Sequence, residues 1–542
     1  MRCLPKSSLL ILSFPILALV AGPVDLRPAA PTRHVLVQGD SLETAAAAVL
    51  AAGGEVTHEL GIIRAVGARL TERQLAAVRG HAGIGRVHDN RAVSLDDESN
   101  GNGSAPATAY PAVAGADRLF EEGITGYGVT VAVLDTGFDK KAGDEDRLLA
   151  HYDAVADQEL PTNADSDGFG HGSHVQSIIL NDQVAGSGTT PNGMAPEADL
   201  VAVKAFADDG AGSYADVIRG LDWIVSHRAE YGIRVLNLSF GAEPVSHYWD
   251  DPLNQAVMAA WQEGIVVVAS AGNTGPDPMT IGVPGNVPYV ITVGAMSDAL
   301  TTDGGDDFLA SFSAAGPTYE GFVKPDLVAP GGHLAALMDK HSQIALEHPE
   351  YHDGGKYFTM SGTSQAAAVV SGAAALLLQA EPGLTPDEVK CRLMSTARPA
   401  RDAEGNLAYS VFQQGAGLVD AYAAVYGGLD DCGNRGLDVA ADLAGPDHFG
   451  GRAHQAEDGT YYVEGWESYL WDGGYIGADG YIWPDGYIWP DGYIWPDGYI
   501  WPDGYIWPDG YIWPDGYIWP DGYIWPDGLT NVMSVDNWVE QE

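Results

Sequence analysis

The sequence predicts an α/β fold: a parallel sheet with helices on both faces, preceded by a small α+β ferredoxin-like unit. Two observations carry the larger part. Short apolar runs rich in β-branched residues (Val129–Leu134, Leu200–Lys204, Val235–Ser239, Ile265–Ala269 and Val290–Val293) alternate with helical stretches such as Tyr214–Arg228 and Pro252–Glu263. Strands apolar along their whole length belong to sheets covered on both faces. Polar residues also stand at the carboxyl ends of these strands, Asp135 and Asn273 among them, where an open α/β sheet places its site. The smaller unit spans residues 33–95. It reads as strand His34–Gln38, Ala-rich helix Leu42–Ala52 closed by Gly53 and Gly54, strands Glu55–Leu60 and Ile62–Leu70, a helix opening at Thr71, and a strand near Ile84–Val87. The order β-α-β-β-α-β is the split ferredoxin-like arrangement.

At 542 residues, the chain exceeds what one hydrophobic core organises, so several domains are expected. The formal net charge of −47, from 27 Lys plus Arg against 74 Asp plus Glu, argues against nucleic acid or an anionic membrane as the main partner. It suits equally a protein screened by salt outside the cell and one kept soluble by charge. Residues 1–22 read as a signal peptide: a basic start, an apolar run Leu9–Val20, then Ala21-Gly22. That run is too short for a membrane span, and no other segment is apolar and long enough. Cys3 leaves with the signal; for Cys391 and Cys432 a disulfide and a pair of buried thiols both remain open, since spacing alone does not establish a bond.

Three segments place one reactive side chain each where a buried element meets a glycine turn. They are Val129-Thr-Val-Ala-Val-Leu-Asp135-Thr-Gly, Gly170-His171-Gly-Ser-His-Val and Ser361-Gly-Thr-Ser364-Gln-Ala-Ala-Ala. A serine hydroxyl is a weak nucleophile until a base removes its proton. His171 is the candidate base, active when neutral and therefore above about 6.5 if unperturbed. Asp135 is the group that orients it and Ser364 the nucleophile. A fourth segment, Ile265-Val-Val-Val-Ala-Ser-Ala-Gly-Asn273, ends on an amide suited to an oxyanion. His174 makes a His-x-x-His pair with His171, but no third ligand follows at metalloprotease spacing.

From about Tyr110 to about Gly427 these residues, in the order Asp, His, Ser, resemble the subtilisin family (subtilases). The family usually has Met at Gln365, Pro at Ala368 and Thr at Ser173; none of these differences removes a reactive group. The resemblance implies a serine endopeptidase acting on proteins or peptides through an acyl-enzyme, with no cofactor required for the chemistry. It implies a cleft formed by Asp209–Tyr214, including Gly210 and Gly212, and by Ser239, Phe240 and Gly241, binding an extended peptide by strand addition. It raises structural calcium as a candidate at two acidic loops, Asn163–Gly168 and Asp303–Asp307. It also makes residues 23–105 a propeptide, the chain's own first partner, with Ser99-Asn-Gly-Asn-Gly-Ser-Ala-Pro as an accessible place for processing.

The expected organisation is therefore signal 1–22, propeptide 23–105, catalytic domain 106–427, linker 428–479, repeats 480–528 and tail 529–542. Eight identical copies of Gly-Tyr-Ile-Trp-Pro-Asp run from Gly480 to Asp527, after a degenerate copy at Gly474–Asp479. Each Trp-Pro-Asp-Gly is a good β-turn, and Tyr-Ile-Trp a minimal strand; a low-complexity tail without a packed core is the equal alternative. The rival function is a secreted or cell-surface adhesion or matrix protein whose tail contacts polysaccharide or cell wall while the peptidase domain idles.

Overall fold

The structure, a computed structural model, describes residues 32–90, 92–95, 98–99, 108–140, 147–184, 190–298, 307–402, 405–445, 448–471 and 506–507. Its centre is a nine-stranded sheet ordered Phe308–Leu309, Ile291–Ser297, Val266–Ser270, Ile233–Leu238, Thr130–Asp135, Asp199–Lys204, Leu148–Asp153, Gln158–Leu160, with Leu327–Pro330 also paired to Ile291–Ser297. The inner pairs are parallel and the short Phe308–Leu309 and Gln158–Leu160 pairs antiparallel. Thr130–Asp135 and Val266–Ser270 are buried at every position, as their uninterrupted apolar runs require.

The 18-residue helix Thr363–Ala380 packs on five of these strands, chiefly Ile291–Ser297, Ile233–Leu238 and Val266–Ser270. Its Ala residues up to Ala375 are buried, and its one glycine, Gly372, lies so close to Met194 that an added Cβ would meet the Met194 side chain at 2.3 Å. By length and composition it is the one described helix apolar enough to cross a membrane, yet 89% of that stretch is buried inside the protein. It is a core helix. Helices Tyr214–Tyr231 and Pro252–Gln262 cover other strands and start on side-chain caps: Ser213 accepts from Asp216 N, and Asp251 accepts from Leu253 N and Asn254 N with Pro252 in the first turn.

Residues 32–89 form a separate four-stranded antiparallel sheet in the order Glu55–Leu60, Ala65–Thr71, Thr32–Gly39, Ile84–Asp89. Helices Leu42–Ala51 and Glu72–Arg79 join the strands, the second opened by a Thr71–Gln74 capping box. One expected strand is shorter than read: Gly61–Ile63 is a 3-10 turn, ended by Arg64 in the left-handed conformation, before the strand resumes at Ala65. This unit has its own core of Val35, Val37, Val49, Val66, Leu70, Leu75 and Val78. It rests on the two caps-started helices. Asp222 Oδ1 accepts from Ile62 N at 2.8 Å, His58 Nε2 meets Asp216 Oδ1 at 2.9 Å, and Gln38 donates to Gln255 at 2.8 Å.

The stretch 428–479, expected as a linker, is packed onto the body as far as it is described. Cys391 and Cys432 are bonded, with Cα atoms 5.1 Å apart. Tyr248 and Tyr289 both donate to Asp442 Oδ2 at 2.6 Å, and burial raises the carboxyl's pKa. Gly451 N and Ala453 N donate to Glu320 O and Gly321 O at 2.7 and 2.8 Å, and Phe449, Tyr461 and Val463 join the main core. Gly- and Asp-rich composition resembles a linker, but its glycines here serve close backbone approach. Of the repeats, only Ile506–Trp507 is described, paired antiparallel with His448–Phe449; the remainder, like residues 1–22, lies outside the described residues.

The disulfide closes a loop of 41 residues. Loop-closure entropy puts its contribution at about 4 kcal/mol at most. Cys391→Ser/Cys432→Ser is therefore expected to lower unfolding free energy by about 2–4 kcal/mol, read as a shift in urea midpoint at unchanged slope.

Candidate active site

Asp135 is the last residue of the strand Thr130–Asp135 and is fully buried. Its Oδ1 accepts from Thr136 N at 2.7 Å and meets His171 Nδ1 at 2.7 Å. His171, also fully buried, opens the helix His171–Leu180. With the Nδ1 proton shared toward Asp135, Nε2 is left as the basic nitrogen.

Asp167 holds this helix in place. Its Oδ1 accepts from Thr136 Oγ1 and Gly170 N, each at 2.7 Å; its Oδ2 accepts from Ser173 N at 2.7 Å and Ser173 Oγ at 2.6 Å. Thr136 Oγ1 accepts in turn from Gly172 N at 2.8 Å. One carboxylate thus ties the turn after Asp135 to the first turn of the His171 helix. A Cβ on Gly172 would lie 2.7 Å from Gly137 O, so only glycine lets helix and turn approach this closely.

In the loop Asn163–Gly168, read as a calcium candidate, both carboxylates have protein partners. Both Asp167 oxygens are committed to protein donors, and Asp165 pairs with Lys140 at 3.1 Å. No group of three or more His, Cys, Asp or Glu among the described residues is placed to hold a metal. Of the second loop, 303–306 lie outside the described residues. His174 is buried on the same helix with Nε2 3.1 Å from Phe358 O; burial lowers its pKa to about 3, so it stays neutral.

Ser364 is the second residue of the core helix and is fully buried. Its Oγ donates to Ser239 O at 3.2 Å, while Ser239 Oγ donates to Ser364 O at 3.0 Å. Asn237 Nδ2 donates to Ser239 Oγ at 2.8 Å, and Ser371 Oγ donates to Asn237 Oδ1 at 2.8 Å. The serine is therefore fixed to the end of the strand Ile233–Leu238. Its helix packs directly on the His171 helix.

Asn273 follows the strand Val266–Ser270. Its Oδ1 accepts from Thr363 N at 3.0 Å and Thr363 Oγ1 at 2.9 Å. The buried Nδ2 has no hydrogen-bond partner among the described residues. A carboxamide anchored through its oxygen to Thr363, the residue before Ser364, with an unused N–H pair, has the form of an oxyanion donor.

The residues read as a cleft bracket one strand. Gly212 and Ser213 pair with Val93 and Ala92, while Phe240 and Gly241 pair with Leu95 and Ser94, both antiparallel. Gly210 makes the turn before the first edge at φ +73, against the Phe169 ring, and the Phe240 ring packs on Phe206. Sequence reasoning did not find Ala92–Leu95, whose partners lie more than a hundred residues on. It also missed Lys204, paired in register with Asp135 and donating to Thr136 O at 2.8 Å and Ser166 O at 2.9 Å; a buried lysine in an apolar strand has no sequence signature of its role.

Residues 126–417, just over half the chain, match the family described as Subtilase family (Peptidase_S8). The chain belongs to the subtilase family. Among curated proteins, this subtilase is 40% identical to serine protease AprX of Bacillus subtilis (strain 168) over 309 residues, 56% of the chain and 67% of that protein. It is 33% identical to subtilisin of Bacillus pumilus over 313 residues, 57% of the chain and 95% of that protein. Among solved structures, fervidolysin from Fervidobacterium pennivorans, a keratinolytic enzyme related to subtilisin, aligns with a TM-score of 0.59 at 26% identity. That alignment covers 75% of this chain and 62% of fervidolysin. Membership makes the chain a subtilisin-like serine protease.

Proposed function

We propose that this subtilase is a secreted serine endopeptidase, made as a precursor, that hydrolyses peptide bonds through an acyl-enzyme. The observation that carries the reading is the fully buried Asp135–His171 pair at 2.7 Å, on a helix packed against that of Ser364. His171 takes the Ser364 proton as the hydroxyl attacks the scissile carbonyl, then delivers it to the leaving amine. Asp135 keeps the imidazole in the useful tautomer and stabilises the imidazolium. Asn273 Nδ2 and the Ser364 N–H, at a helix N-terminus, face charge that develops only in the transition state. Main-chain pairing along Gly212–Ser213 and Phe240–Gly241 holds an extended peptide with little dependence on its sequence.

Secretion is supported by the signal-like residues 1–22, the Cys391–Cys432 bond and the subtilisin relatives. Residues 23–105 serve as the propeptide, a reading supported by the separate fold of residues 32–89 and their seat on the helices that follow the cleft edges. The test compares wild type with Ser364→Ala on casein: digestion by wild type alone supports the proposal, and equal inertness of both removes it. For the oxyanion role, Asn273→Ala is expected to lower kcat by about 10²–10³-fold, a scale measured on a subtilisin, with KM nearly unchanged; a raised KM at constant kcat would assign Asn273 to substrate binding instead.

A further inference from the structure

Lys204 joins three segments: the turn after Asp135, the loop before His171 and the turn that leads into the cleft edge. It ends the strand Asp199–Lys204 opposite Asp135, and its side chain is 10% exposed. Nζ donates to Thr136 O at 2.8 Å, Ser166 O at 2.9 Å and Asp208 Oδ1 at 2.8 Å, one acceptor for each ammonium proton. Thr136 directly follows Asp135 and donates its N–H to the carboxylate oxygen that meets His171 Nδ1. Ser166 directly precedes Asp167, whose carboxylate accepts from Gly170 and Ser173 on either side of His171. The ammonium thus ties by their carbonyls the same segments that Asp167 ties by their N–H and O–H groups.

The third partner is of a different kind. The Asp208 side chain is 71% exposed, and it is the one carboxylate in ion-pair contact with Lys204 among the described residues. It lies on the tight turn 207–211, closed by Ala207 N–H to Ala211 O at 2.8 Å and Gly210 N–H to Ala207 O at 3.0 Å. That turn runs directly into Gly212–Ser213, the first edge of the cleft. It also leans on the loop before His171: a Cβ on Gly168 would lie 2.6 Å from Asp208 Cγ, and one on Gly210 2.6 Å from the Phe169 ring.

We propose that Lys204 and Asp208 form a brace that ties the Asp135–His171 pair to occupancy of the cleft edge. A peptide paired along Gly212–Ser213 holds the turn 207–211, Asp208 then keeps the ammonium seated, and the ammonium keeps Thr136 and Ser166 in register around the pair. Lys204 acts through Thr136 and Ser166, so it is a positioning residue, and its effect falls on kcat rather than on substrate affinity. The inference rests on the peptidase reading and deepens it by naming the residues that carry the tie. A displacement of about 1 Å at a catalytic group costs about 10²-fold in rate, so a slackened brace is felt in turnover. Without Asp208 a buried ammonium keeps only two neutral carbonyls, an arrangement that holds a charge poorly.

The full chain is assayed on two substrates: p-nitrophenyl acetate, an ester too small to pair with the edge, and casein, which supplies an extended peptide. Asp208→Ala, at an exposed position, is expected to lower the casein-to-ester ratio of kcat about tenfold, with KM for casein nearly unchanged. Asp208→Glu, which keeps the charge, is expected to restore the wild-type ratio. Lys204→Met is expected to lower kcat on both substrates; should it not fold, the Asp208 variants decide alone. A wild-type ratio in Asp208→Ala, an equal fall on both substrates, a change confined to KM, or a loss that Asp208→Glu does not restore would each overturn the brace while the peptidase stands. If wild type hydrolyses neither ester nor casein, the peptidase reading itself fails and takes this one with it.

Discussion

Replacing Ser364 with Ala is expected to lower kcat on casein about 10⁶-fold, the scale known from a subtilisin, and adding His171→Ala is expected to cost almost nothing more. The reason is that the two act as one unit. Once the hydroxyl is gone there is no proton for His171 to accept, and once the base is gone the hydroxyl stays a poor nucleophile. Asp135→Ala is expected to cost less, about 10⁴-fold. In that variant the acceptor 2.7 Å from Nδ1 is lost while nucleophile and base both remain. Activity above the uncatalysed rate is expected to survive in every one of these variants, because Asn273 and the cleft strands stay intact. Initial rates normalised to folded protein by circular dichroism give the comparison. Losses that multiplied between Ser364→Ala and His171→Ala would show that the two side chains act independently, and the proposed mechanism would fall.

Much of this site was legible because each of its parts is local in sequence. A buried strand ending in Asp, a Gly-bounded His and a Ser opening an Ala-rich helix are each written within about ten residues, and the sheet brings them together. What was not legible depends on partners far along the chain. Asp167 reads from sequence only as part of an acidic loop, while its partners here, Thr136 and Ser173, come from two separate segments. Ala92–Leu95 is an unremarkable tetrapeptide until Gly212 and Phe240 arrive to pair with it. Residues 428–465 lack apolar periodicity because they are held by a disulfide, a buried Asp442 and backbone bonds to Glu320 and Gly321 rather than by an apolar face.

The least legible feature yields the largest expected change in stability. Lys324 and Lys390 are buried together, 1% and 4% exposed, around Asp326 at 5%. Lys324 Nζ meets Asp326 Oδ2 at 2.6 Å, and Lys390 Nζ meets Oδ1 at 3.1 Å. The carboxylate also accepts from Thr292 N at 2.8 Å, while carbonyls of Pro288, Tyr289 and Val290 and the Asn434 amide oxygen accept from the ammonium groups. Asp326→Ala removes the one counter-charge paired with these lysines among the described residues and leaves both amines buried without it, and is expected to cost about 3–5 kcal/mol. Lys324 sets the pH dependence. Burial lowers its pKa from 10.5 to about 7 against the opposing pull of Asp326, so between those values the unfolded chain holds a proton the folded one has released. Its contribution to stability therefore rises with pH across that window. Removing Asp326 lowers the folded pKa further, so the variant's deficit relative to wild type grows as pH falls below about 7 and its Lys324 component fades above it. Asp326→Ala/Lys324→Met, with one stranded cation fewer, is expected to recover part of the loss at pH 6. Equal urea midpoints for wild type and Asp326→Ala at pH 6 would refute the argument. Asp326 directly precedes the strand Leu327–Pro330, which runs into Gly331, and Gly331 O accepts from Gly362 N at 2.8 Å, two residues before Ser364. That backbone link joins Asp326 to the Ser364 helix, and on warming the variant is expected to lose activity before it loses its far-ultraviolet signal.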